Sequence, residues 1–143
     1  MPRSIRMIIQ DQEVVTASAA TSVLEAAQLM KKHAVGAVLV VEDDRLVGIF
    51  TERDALFRVV ADGRNVQQTQ LSEVMTRSPQ TLQPEKSFAD ALHIMHAGGF
   101  RHVPVVENGR PVGMISARDA LGPELEDFVY EMLRQDQVDS VLA

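Results

Sequence analysis

Two seven-residue segments carry the side chains best suited to chemistry: Gly48-Ile49-Phe50-Thr51-Glu52-Arg53-Asp54 and Gly113-Met114-Ile115-Ser116-Ala117-Arg118-Asp119. In each, a hydroxyl follows an apolar run, and an arginine and an aspartate follow the hydroxyl. A carboxylate placed there can accept both hydrogens of a vicinal diol such as a ribose, and the arginine can meet a phosphate. The start of a helix at this point adds unpaired N–H groups and a positive dipole end, which suit an anionic ligand. The glycine lets something approach the backbone closely. Thr51-x-x-Asp54 and Ser116-x-x-Asp119 also fit a helix capping box with Asp in the place of Glu or Gln. Capping alone requires neither the glycine nor the arginine, and both recur.

A second informative stretch is Gly98-Gly99-Phe100-Arg101-His102-Val103-Pro104-Val105. Arg101 and His102 precede a buried strand, where a positive pair could hold phosphate or form an ordinary solvated turn. Pro104 interrupts the strand's donors, which frees nearby carbonyls and limits where the strand can sit in a sheet. The matching stretch earlier in the chain, Val35-Gly36-Ala37-Val38-Leu39, carries no charge.

Both features belong to a duplication that supplies the elements around them. Residues 16–56 laid over 81–121 without a gap agree at 15 of 41 positions, where composition alone gives about 2 or 3. In the first copy, Val14-Val15-Thr16 reads as a short extended run and Ser22 as the cap of a helix with Val23, Ala26, Ala27, Met30 and Ala34 on its apolar stripe. Gly36 ends that helix. Ala37-Val38-Leu39-Val40-Val41 and Leu46-Val47-Gly48-Ile49-Phe50 are strands joined by the turn Glu42-Asp43-Asp44-Arg45, and Thr51 opens a helix that stops at Asp62-Gly63.

The second copy has Ser87 as cap, Phe88, Ala91, Leu92 and Met95 as stripe, and Gly98-Gly99 as stop. Its strands Val103–Val106 and Val112–Ile115 flank an Asn108-Gly109 turn. The order is β-α-β-β-α twice, a mixed α/β or α+β class built from two units related by a pseudo-twofold axis. The boundaries are 8–63 for the first unit, 64–73 for a polar linker, 74–122 for the second unit, and 123–143 for a last helix and tail. In that last segment, Leu125, Phe128, Val129 and Met132 pack on the body or on a second chain, and the acids Glu124, Glu126, Asp127 and Glu131 face solvent.

Several function classes are excluded or disfavoured. The chain has 143 residues, long enough for a core without staples, and no Cys, which removes thiolate metal sites and disulfides. Twenty acids against 14 Lys and Arg give a net charge of −6, unlike a nucleic-acid footprint. No apolar stretch reaches the 18 residues of a membrane span, and the apolar run near the start is shorter than an export signal needs. A cytoplasmic protein is expected. There is no Walker A loop, dinucleotide fingerprint, zinc-protease motif or nucleophile elbow. His93 and His96, three residues apart, lie on a solvated helix face, and His33 and His102 lack partners at metal spacing. No metal site and no catalysis are expected.

The duplicated unit, the Gly-h-h-Thr/Ser-x-Arg-Asp segments and the Phe-Arg-His-Val-Pro-Val-Val run together resemble a tandem pair of CBS (cystathionine β-synthase) domains, a Bateman module, over roughly residues 10–130. The resemblance implies two clefts between the units that bind adenosine-containing ligands such as AMP, ADP, ATP or S-adenosylmethionine. It implies that Asp54 and Asp119 hold ribose hydroxyls, that Thr51 and Ser116 touch ribose or phosphate, and that Arg53 and Arg118 lie near phosphates. Thr16 and Thr81, with Gly36, Ala37 and Val38 on one side and Arg101, His102, Val103 and Pro104 on the other, would bracket the base. Gly36-Ala37 stands where the second copy has Arg101-His102, so the two clefts are not equivalent. The resemblance further implies a regulatory module with AMP or ATP as ligand rather than a required cofactor, a homodimer joined through helical faces, and a regulated partner protein. The rival reading is a ligand-free dimerisation scaffold.

Overall fold

The repeat folds into two units of one plan, but each is completed by a segment from outside its own stretch of sequence. In the computed structural model, which describes residues 3–142 and the side chains of residues 3–136, the chain opens with α1 (Ile5–Ile9) and β1 (Thr16–Ala17). The first unit continues through α2 (Val23–His33), β2 (Ala37–Glu42), β3 (Arg45–Thr51) and α3 (Glu52–Asp54), which runs on as a π-helical stretch over Ala55–Val60. After α4 (Leu71–Val74) and β4 (Thr76–Arg77), the second unit comprises α5 (Phe88–Gly98), β5 (His102–Glu107), β6 (Arg110–Ser116) and a 3₁₀ turn over Ala117–Asp119. α6 spans Gly122–Leu142, longer than the sequence pattern indicates.

The caps fall where the sequence places them: Ser22 accepts the Glu25 N–H, and Ser87 exchanges hydrogen bonds with Asp90. The hairpin turns are set by backbone in the left-handed region, at Asp43 and Asp44 in one unit and Asn108 and Gly109 in the other. Helix α2 corrects two expectations. It ends at Ala34, whose φ of 53° is left-handed, and not at Gly36. Ala27 and Ala34 are exposed, and the stripe consists of Val23, Ala26 and Met30. Gly99, at the position matching Ala34, closes α5 with φ 71°.

Period-two alternation gives β2 and β3 two buried faces. Val38, Val40 and Phe50 pack with Val23, Ala26 and Met30 of α2, whereas Ala37, Leu39 and Ile49 form a second cluster that meets Met114 of the other unit. The first unit makes a four-stranded sheet, β1-β2-β3-β4. Among the described residues the second keeps β5-β6 as its ladder, and the missing counterpart of β1 traces to Pro104. In the first unit the Leu39 N–H donates to Val15 O, and Pro104 occupies the matching position without an N–H to give. Leu82 still bridges β5, donating to Pro104 O and accepting from Val106 N. The Pro104 carbonyl is therefore taken. The proline instead withdraws a donor from Gln80.

The two short helices cross over. α1 places Ile5 and Ile9 in the core of the second unit, and α4 places Leu71 and Val74, with Met75, in the core of the first. The hydrogen bonds match in pairs. Ile5 N–H donates to Lys86 O and Arg6 N–H to Pro84 O, as Leu71 N–H does to Thr21 O and Ser72 N–H to Ala19 O. Where β4 pairs with β3 through backbone, β6 meets the Gln12 side chain, whose amide accepts from Met114 N and donates to Met114 O, each at 2.8 Å. A side chain thus stands in for a strand.

The glycines of the two motifs serve this same packing. A Cβ at Gly48 would lie 2.6 Å from Met75 Sδ and 3.0 Å from Thr76 O, and one at Gly113 would lie 2.6 Å from Ile9 Cγ2. What approaches these glycines is the protein itself. Of the acids in the last segment, Glu126, Asp127 and Glu131 are exposed as expected, and Glu124 is only partly so. Glu124 is paired with Arg3 at 2.6 Å, and Glu131 lies 3.2 Å from His93. His93 and His96 are exposed, as expected, and both meet the Phe128 ring edge-on.

Candidate functional site between the repeats

Each motif lies at the end of a strand, β3 or β6, and faces the other unit. One cavity, of about 230 Å³, is walled by Thr51, Glu52, Arg53 and Asp54 of the first unit, by Phe100, Arg101 and His102 of the second, and by Thr76, Pro79 and Gln80 after the linker. Its counterpart, of about 460 Å³, is walled by Ser116, Ala117 and Arg118 of the second unit and by Ala34, Val35 and Gly36 of the first. Ligand pockets commonly run roughly 300–1,000 Å³, so the first cleft holds a base and sugar only if the charged end extends outward.

Asp54 is buried, at 7% exposure. Its Oδ2 accepts from Thr51 N at 3.0 Å and from Thr51 Oγ1 at 3.2 Å, and its carboxylate also accepts from Thr76 Oγ1 at 3.3 Å. Thr51 Oγ1 in turn accepts from Asp54 N, completing the capping box. The Arg58 Nε stands 3.6 Å from Asp54 Oδ1, while the same guanidinium donates to Met75 O at the end of α4 at 3.0 Å. Asp119 is only partly buried and accepts from Ser116 N at 2.7 Å. The helix expected beyond it is a single 3₁₀ turn, because the backbone turns extended at Ala120, with ψ 131°, before the chain restarts as α6 at Gly122. The dipole argument therefore does not carry over to the second motif.

The two motif arginines reach across the pseudo-twofold axis in the same way. Arg53 Nη1 donates to Gly99 O at 3.3 Å, and Arg118 Nη2 donates to Ala34 O at 3.4 Å. These carbonyls belong to the left-handed residues that close α5 and α2, where a cation is favourable.

Of the residues singled out in the sequence, Thr51, Arg53, Asp54, Arg101 and His102 line the first cleft, and Gly36, Arg101, His102, Ser116 and Arg118 line the second. Ala37, Val38, Val103 and Pro104 are buried strand residues outside both linings, and Thr16 and Thr81 are exposed. Asp119 lies beside its cleft, with its carbonyl accepting from Arg3 Nη2. Glu52, Thr76, Gln80 and Phe100 were not singled out. Gln80 was signalled indirectly, by the donor that Pro104 lacks. Phe100 lies against Gly98, where a Cβ would fall 1.9 Å from its ring.

Gly36 has a role that only the folded chain reveals. A Cβ there would lie 3.1 Å from His102 Nε2 and 3.2 Å from Glu52 Oε1. Burial holds the His102 imidazole below its ordinary value of 6.5; Arg101 and Arg118 add to that, and Glu52 and Asp119 oppose it. The unfolded chain then takes up a proton at higher pH than the folded one. Stability is complete above about pH 6.5 and declines as pH falls below it. Urea midpoints measured from about pH 7.5 down to about 5.5 are expected to fall, and His102→Gln to flatten that fall. An identical decline in the variant would remove His102 as its source. Among the described residues, no cluster of three or more His, Cys, Asp or Glu could hold a metal ion, and no helix is long and apolar enough to cross a membrane.

A family model described as the CBS domain matches residues 6–61 and 71–123. The chain is 39% identical over 107 residues to the CBS domain-containing protein YhcV of Bacillus subtilis, covering 75% of this chain and 76% of that one. The crystal structure of the CBS-domain containing protein ATU1752 from Agrobacterium tumefaciens matches with a TM-score of 0.75 at 37% identity, covering 83% and 91% of the two chains. The CBS domain pair of protein MJ0100, solved in complex with 5′-methylthioadenosine and S-adenosyl-L-methionine, matches with a TM-score of 0.74 at 26% identity, covering 83% and 93%. Other relatives are longer: the chain spans 64% of an uncharacterized Methanopyrus kandleri protein and 20% of an Arabidopsis thaliana CBS domain-containing protein.

Proposed function

We propose that this chain, which belongs to the CBS domain family and carries two such domains in tandem, is a non-catalytic regulatory module. In this reading it binds an adenosine-containing ligand between its repeats and alters the binding of a partner protein. The observation that carries the reading is the crossed construction of the clefts: Asp54 and Arg53 of the first unit face Phe100, Arg101 and His102 of the second, and Ser116 and Arg118 of the second face Ala34, Val35 and Gly36 of the first. A ligand seated there touches both units at once, so a change in how the units sit against each other would change its contacts, as any switch requires. The MJ0100 pair, with its two adenosyl compounds, supports the ligand class. In the first cleft, Ile49, Pro79 and Phe100 offer apolar surface to a base, Asp54 an acceptor to a ribose, and Arg53 and Arg101 cations to a phosphate, with AMP or ATP as the expected ligand.

A second copy of the chain is proposed as a partner. Leu56, Phe57 and Val60 on the π-helical stretch, Leu121 just before α6, and Leu125 and Val129 on α6 are each about half exposed or more, and Leu56 and Leu121 match in the repeat. Burying these edges against each other would favour a homodimer.

One observation favours the scaffold alternative: Asp54 is already occupied by its own chain, as a cap must be. Thermal denaturation with AMP, ATP and S-adenosylmethionine, alongside native mass spectrometry of the purified protein, separates the two. A ligand at 100 times its Kd adds about 2.7 kcal/mol to the folded state. A raised melting temperature, or nucleotide retained on a dimer, supports the sensor. Melting temperatures that stay flat across the series leave the scaffold.

A further inference from the structure

Glu52, Arg101 and His102 each line both clefts, and among the described residues no other does. They form a partition contributed by both units: Glu52 opens α3 of the first, and Arg101 and His102 lead into β5 of the second. Gly36 makes room for this partition, since a side chain there would meet His102 and Glu52. The ionisation of His102 responds to Glu52 and Arg101 in the partition itself, and also to Arg118 and Asp119 of the second motif. Charge placed in one cleft is therefore felt in the wall of the other. Each cleft has one arginine of its own, Arg53 or Arg118, while Arg101 is common to both.

We infer that the clefts compete for Arg101, so that a phosphate-bearing ligand in one disfavours a second in the other, whereas an uncharged nucleoside fills both without this penalty. The inference rests on the adenosyl-ligand reading above. A bidentate pair with one phosphate turns the Arg101 fork toward that cleft and leaves a poorer geometry for an anion in the other, and Glu52 opposes a second anion at the same wall. A hydrogen bond to a charged group contributes roughly 1.5–3 kcal/mol, so the second phosphate is expected to bind at least about tenfold more weakly than the first, beyond any difference between the clefts themselves.

Isothermal titration of the full chain with adenosine and with AMP, repeated on Arg101→Gln, tests this. Arg101 is exposed, so its replacement leaves the core untouched. The expected result is two adenosines per chain, and either one AMP or two with affinities separated by at least about tenfold more than those of adenosine. In Arg101→Gln, the first AMP weakens and the separation falls back to the adenosine value. The inference is overturned if AMP and adenosine show the same separation. It is equally overturned if both stop at one per chain, if adenosine alone binds, or if Arg101→Gln weakens both AMP events alike. Failure of the wild type to bind either compound would instead bring down the adenosyl-ligand reading itself.

Discussion

Asp54→Ala is expected to destabilise the protein and to abolish nucleotide binding in the first cleft, two effects that Asp54→Asn would separate. The alanine removes the acceptor for Thr51 N, Thr51 Oγ1 and Thr76 Oγ1 in a buried setting. Losing the cap and leaving such donors unpaired costs roughly 2–4 kcal/mol. The asparagine keeps an acceptor for the cap but removes the charge that would hold two ribose hydroxyls, so it is expected to melt near the wild type while binding AMP at least about tenfold more weakly. At the second motif, Asp119 is only partly buried and its carboxylate accepts from Ser116, so Asp119→Ala should cost about 1 kcal/mol. Chemical denaturation and calorimetric titration of the three variants give both readouts. If Asp54→Asn binds AMP as the wild type does, the carboxylate is a cap and no more.

Gly48→Ala is expected to be among the most destabilising single-methyl additions in the chain. Its Cβ would enter the space of Met75 Sδ at 2.6 Å and of the Thr76 carbonyl at 3.0 Å. Met75 can shift, but the carbonyl is backbone paired with β3 and cannot move without opening the β3–β4 ladder. Overpacking of this kind costs about 1–3 kcal/mol. Moving β4 also moves Thr76 off Asp54, so AMP affinity in the first cleft should fall with stability. Gly48→Ala melting with the wild type would show that β4 yields freely, and that the glycine is not required by packing.

The repeat, the strands and the caps are legible from residue type and spacing alone, whereas the two clefts enter only through the family resemblance. Ser22 and Ser87 cap because a short hydroxyl can reach the third N–H beyond it, and that requires nothing from the rest of the chain. What stayed hidden depends on contacts between distant segments. Gly36 looked like a helix stop, yet it is small because His102 and Glu52 occupy the space beside it. The motif glycines looked like room for a ligand, yet Met75 and Ile9 take that room. Glu52 gave no signal because its repeat partner is Ala117, and a comparison of copies highlights what they share. The π-helical stretch after Asp54 was equally silent, since Arg58 is tied there to Asp54 and to the end of α4.

The crossing of the two short helices has a bearing on how such a chain arises. Ile5 and Ile9 complete a core whose other members begin at Leu82, so neither half of the polypeptide contains everything its own domain needs. A gene encoding one unit and its leading helix would yield a product that finds its missing piece only on a neighbour, and would work as a mutually fastened couple. Fusing two such genes end to end turns that couple into one molecule without redesigning either member. From then on the halves are free to diverge, as Gly36 and Arg101 have done.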